Sequence, residues 1–117
     1  MAEHPPADFI PEPAPMHLML TTFPDEPTAH RIVKTLVEER VVACGNVLPG
    51  ITSIYHWRGS IETAAETMVL FKTSASPETA MDRLKELHPY EVPEIVLLPV
   101  SVVNSSYLAW LVENCRA

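Results

Sequence analysis

The side chains best suited to chemistry are gathered in one short run, His88-Pro89-Tyr90-Glu91. An imidazole, a phenol and a carboxylate share a loop stiffened by Pro89 and Pro93. A neutral imidazole is the commonest metal ligand, and a carboxylate can orient it. The same two groups could instead serve as an acid–base pair. The structural alternative is a helix-ending loop in which His88 satisfies backbone groups and Tyr90 packs. Cys44 is a second candidate metal ligand, although it lies in an apolar stretch where a cysteine behaves as a small hydrophobe. Lys72, at the end of an apolar run, could bind an anion or pair with Glu94. His56 and Trp57 could ligate or stack. Trp110 follows Tyr107 at helical spacing and reads as packing.

Several chemistries are excluded by what is missing. With only Gly45, Gly50 and Gly59, the chain lacks the glycine-rich loops that cradle phosphates. The serine-nucleophile elbow, the zinc-protease helix motif and the calcium loop are absent as well. Fifteen acidic residues against eight basic ones give a formal net charge of −7. That balance argues against nucleic acid or an anionic membrane as partner and is compatible with cations. Cys44 and Cys115 are far apart and form neither a zinc framework nor a redox pair. No secretory leader or membrane-length apolar run is evident, so the expected setting is the cytoplasm.

The elements that must position these groups can be read in order. Residues 1–15 carry five prolines, three acids and no Lys or Arg, and are expected to form a disordered or loosely docked tail. The folded domain is expected over 16–117. Residues 17–23 read as a strand. Asp25 can cap a helix over 26–39 with Ala29, Ile32, Val33, Leu36 and Val37 on one face. Residues 41–47 read as a buried strand, interrupted by a bulge at Pro49-Gly50 and resuming to Trp57. Arg58-Gly59 suits a two-residue hairpin turn, with the return strand over 60–73. Ser76-Pro77-Glu78 starts a second helix with Met81, Leu84 and Leu87 inside. A last strand is expected over 94–103, followed by a helix capped by Ser105 or Ser106.

This order, β-α-β-β-α-β plus a helix, is the ferredoxin-like α+β plan: four antiparallel strands backed by two helices. The return strand would reach about 46 Å at roughly 3.3 Å per residue. A domain of about 100 residues has a radius of gyration near 13 Å, so the hairpin must project. An exposed apolar arm invites pairing with another chain.

Five segments carry a family resemblance: 43–50 (ACGNVLPG), 53–59 (SIYHWRG), Lys72-Thr73, 88–94 (HPYEVPE) and 107–110 (YLAW). Together the chain resembles the CutA divalent-ion tolerance proteins, over about residues 17–112. The resemblance implies a PII-like homotrimer in which long hairpins and third helices build the contacts. It also implies tolerance of copper or other divalent ions, no required cofactor, and no catalysis. An intersubunit ligand cleft is implied at Trp57, Lys72, Tyr90, Glu94, Tyr107 and Trp110. His88 stands at a copper position of the family, whereas Thr21 and Leu87 replace a cysteine and a histidine there. Any Cu²⁺ binding is therefore expected to be weak. Gly45 replaces a bulkier residue, which implies looser packing near Cys44. A PII-like module binding a small anionic metabolite through Lys72 and Arg58 is the alternative.

Overall fold

The structure, a computed structural model, describes residues 14–116. The expected tail falls almost entirely outside the described residues. The first strand, β1, runs Met16–Phe23. Helix α1, Glu26–Glu38, starts where Asp25 accepts from the Thr28 amide at 2.8 Å. The Thr28 hydroxyl, and after it that amide bond, holds the Asp25 carboxyl below its ordinary value. Ala29, Ile32 and Leu36 form its buried face.

The strand expected to start at Val41 starts three residues later. Arg40 turns into the left-handed region at φ 60°, and the amides of Val41 and Val42 return to the Leu36 carbonyl. Both valines are fully buried in the crossing that follows, as part of the core. Their β-branched character reflects that burial and carries no ladder pairing. Strand β2 then spans Cys44–Trp57 and β3 spans Ser60–Thr73. Arg58 and Gly59 both take positive φ, 51° and 85°, as a tight two-residue hairpin turn of the primed kind requires.

The bulge lies where expected. Leu48 pairs with Met68 and Ile51 with Glu66, so β2 carries one extra residue at Pro49-Gly50. Gly50 has φ 75°. A radius of gyration of 16.3 Å, against about 13 Å for a compact chain of this length, fits a projecting arm.

Helix α2, Pro77–Leu87, is capped by Ser76, whose hydroxyl accepts from the Thr79 amide. Ala80 and Leu84 are its buried residues, while Met81 and Leu87 are half-buried. Strand β4 is Ile95–Val100, shorter than the expected 94–103, because β1 offers no partner beyond the Met16–Val100 pair. Helix α3, Ser105–Glu113, is capped by Asn104 rather than by a serine. The Asn104 side-chain oxygen accepts from the amides of Ser106 and Tyr107 at 3.0 and 3.4 Å.

The sheet is antiparallel in the order β2-β3-β1-β4. Alternation sends Met19, Thr21, Phe23, Val69, Phe71 and Thr73 to the helix-covered face, and all are fully buried. Gly45 pairs with Phe71 on that face. The looser packing expected there is not found: a Cβ on Gly45 would lie 2.9 Å from Val33 Cγ1 and 3.1 Å from Phe71 Cδ1. Glycine lets α1 seat directly on the strand. The opposite face carries Leu18, Leu20, Leu48, Met68, Leu70, Val96 and Leu98. α3 covers only one end of it, around Met16, Leu18 and Val100, and Leu48, Val96 and Leu98 are exposed.

Candidate functional site

The loop between α2 and β4 passes round the end of β1. His88 enters on the helix side, where its ring stacks on Phe23 at 4.7 Å between centroids. Its Nδ1 accepts from the Tyr90 amide at 3.2 Å. Nε2–H therefore carries the proton, shared between the Thr22 carbonyl at 2.9 Å and the Thr21 hydroxyl at 3.0 Å. Burial holds the His88 pKa below its ordinary value, against the raising effects of the Thr22 carbonyl and the Glu66 carboxylate. The ring is a neutral brace with both nitrogens engaged.

Tyr90, two residues on, reaches the open face. Its hydroxyl donates to Glu66 Oε2 at 2.5 Å. Burial, reinforced by the Glu66 carboxylate, pushes the phenol well above its ordinary range, so it stays a donor. Glu66 is 8 % exposed, and among the described residues this phenol is its only hydrogen-bond partner. The hairpin arm curls over the pair, and Arg58 at its tip bonds Glu91 at 3.2 Å. Between arm and loop lies a cleft of about 600 Å³, walled by Tyr55, Trp57 and Tyr90 and edged by Glu66, Glu91 and Glu94.

Of the six residues expected to share a cleft, Trp57, Tyr90 and Glu94 line this one. Lys72, Tyr107 and Trp110 form a separate group at the other end of the open face. Lys72 Nζ lies 5.9 Å from the Tyr107 ring centroid, and the Tyr107 and Trp110 rings are 5.6 Å apart. Cys44 belongs to that group, its Sγ 3.8 Å from the Tyr107 hydroxyl. Burial and the neighbouring Cys44 push the Tyr107 phenol upward. Glu66 and Lys72 are six residues apart on β3, about 20 Å along the strand. One chain therefore holds two half-sites.

The two metal candidates also stay apart. His88 braces Thr21 and Thr22 from the helix side, while Cys44 sits on the open face opposite Lys72. Among the described residues no group of three His, Cys, Asp or Glu side chains could hold a metal ion. Sequence reasoning missed Glu66, Tyr55 and Thr22. A signal for Glu66 was present: an acid whose strand parity matches Met68 and Leu70, next to a buried run.

The sequence and the fold recur in known proteins. A family model described as CutA1 divalent ion tolerance protein matches residues 17–114. The chain belongs to the CutA1 family. A divalent-cation tolerance protein CutA from Thermus thermophilus is 50% identical over 99 residues, covering 83% of this chain and 95% of that one. The crystal structure of CutA from Xylella fastidiosa has a TM-score of 0.84 at 40% identity, covering 88% of this chain and all of that one, 100%. CutA1 from Oryza sativa has the same TM-score of 0.84 at 33% identity, covering 89% and 96%. CutA1 membership thus spans both half-sites, the hairpin arm and α3. No helix among the described residues is long and apolar enough to cross a membrane.

Proposed function

We propose that this CutA-type divalent-cation tolerance protein works as a homotrimer that binds rather than transforms its ligand, in a homeostatic role in the cytoplasm. The supporting observation is the open sheet face. It is apolar, it lacks a helix layer except under α3, and it carries a half-site at each end. Isolated domains rarely leave such a face in water. Packing copies against one another covers it and can bring Lys72, Tyr107 and Cys44 of one copy toward the acidic cleft of the next. A divalent cation is then held weakly, by Glu66 and Glu94 with imidazole or thiol help from His88 or Cys44. His88 must give up the Tyr90 amide to contribute Nδ1, which argues for low affinity.

Light scattering at micromolar concentration should return three times the 13.0 kDa chain. The mass should hold in high salt, because apolar burial is not screened. Calorimetry with Cu²⁺ should give a dissociation constant of about 10 μM or weaker. Glu66→Gln and His88→Ala should each weaken it while leaving the trimer intact. A monomer, or nanomolar binding indifferent to both substitutions, refutes the proposal.

The anionic-metabolite alternative has less support. Glu66, Glu91 and Glu94 at the cleft repel an anion, and Arg58 is engaged by Glu91 at its mouth.

A further inference from the structure

From the composition of the cleft, we infer that it binds a small organic ammonium ion whose charged head meets Glu66 while Tyr55, Trp57 and Tyr90 face its body. Three features point to that ligand class. The first is Glu66 itself. A carboxylate this buried is costly unless something compensates it, and its only partner among the described residues is a neutral phenol. A cation supplied from outside completes it.

The second is the lining. None of its ten residues is basic, and three are aromatic. Aromatic faces attract organic cations through the ring quadrupole. The mouth already has such a contact: the Arg58 guanidinium lies 5.2 Å from the Trp57 ring centroid and 3.2 Å from a Glu91 oxygen. One cation is thus shared between an aromatic face and a carboxylate at the rim, and the interior repeats the combination with no cation of its own.

The third is size. A cleft of about 600 Å³ is in the range of small-molecule sites and far larger than a bare metal ion needs. Carboxylates alone at the edge of such a space leave most of it unfilled. An ammonium carried on an apolar body uses both the charge and the rings.

A cationic ligand here presupposes that the cleft is the binding site of the proposed function. The test uses the full-length protein and three probes of similar shape: 2-phenylethylammonium, 2-phenylethanol and 3-phenylpropanoate. Calorimetry or ligand-observed NMR should find the ammonium binding at least about tenfold more tightly than the alcohol, with no binding of the carboxylate. Glu66→Gln keeps an acceptor for Tyr90 and should abolish that preference; a melting curve checks its fold. Trp57→Leu should weaken the ammonium several-fold, and Lys34→Met, an exposed position on α1, should leave it unchanged. Equal binding of ammonium and alcohol, or preference for the carboxylate, overturns the inference. If none of the probes binds while Cu²⁺ binding is lost in Glu66→Gln, the organic cation is refuted and the cation-binding function stands. If neither kind of ligand responds to Glu66→Gln, the cleft itself is refuted as the site.

Discussion

Replacing Gly45 with alanine adds one methyl group at the most crowded point between α1 and the sheet. The new Cβ would stand 2.9 Å from Val33 Cγ1 and 3.1 and 3.3 Å from two Phe71 ring carbons. Comfortable carbon–carbon contacts lie at about 3.5–4.0 Å, so neighbours must move by about 0.5 Å or more. Phe71 is fully buried and cannot yield, whereas Val33 is half-buried on α1 and can move only with its helix. Overpacking of this kind costs about 1–3 kcal/mol. Alanine recovers about 0.4–1 kcal/mol by restricting the unfolded chain. The expected net loss is about 1–2 kcal/mol. In urea, with a slope of about 1–3 kcal/mol per molar, that lowers the unfolding midpoint by roughly 1 M at fixed protein concentration. Val33→Ala removes the closest atom, so the double substitution should lose about 1 kcal/mol less than the two single losses combined. A neutral or stabilising Gly45→Ala, or strictly additive losses in the cycle, refutes the close seating of α1.

Two further outcomes are expected. His88 has its folded-state pKa below the unfolded value, so the unfolded chain takes up the proton first. Stability should therefore be level above about pH 6.5 and fall as the pH drops below it; His88→Gln should flatten that decline in denaturation series, and an unchanged decline would place its origin elsewhere. Deleting residues 1–15 should leave the melting temperature within about 2 °C, whereas a fall of about 10 °C would mean that the tail is docked.

The fold was legible wherever a local rule acts alone. Asp25 and Ser76 announced their helices because a short side-chain acceptor followed by an acid in the first turn leaves few alternatives. The hairpin turn and the bulge were readable from Arg58-Gly59 and Pro49-Gly50. Reading failed where tertiary context chose between equals. Val41 and Val42 have strand character, but the left-handed Arg40 turns them into core. Asn104, Ser105 and Ser106 can all cap, and the position at which β4 loses its partner selected Asn104. The site was half legible. The loop run identified Tyr90 and Glu94, but Glu66 is brought to them only by the β3 register and by an arm that curls over its own sheet. The separation of Lys72 from Trp57 likewise depends on strand distance, which residue types do not reveal.

The extra residue at Pro49-Gly50 has a consequence for how this arm tolerates change in length. Below it, even-numbered positions of β2 share a face with Lys72 and Leu70; above it, odd-numbered positions share that face with Glu66. Ser53, Tyr55 and Trp57 keep the Glu66 face because the bulge absorbs the extra residue, and each pairs with an even-numbered residue of β3. Removing one residue there while keeping the hairpin paired would leave a single residue between the Leu48–Met68 and Ile51–Glu66 pairs, a regular ladder in which Tyr55 and Trp57 stay on the Glu66 face. A single-codon deletion at this joint would thus remove the local bend and added twist of the arm without turning any wall residue to the other side. Related chains that differ in length at this point should be expected to differ in how far the arm bends over the cleft, and in which aromatic rings face it only if the pairing itself slips.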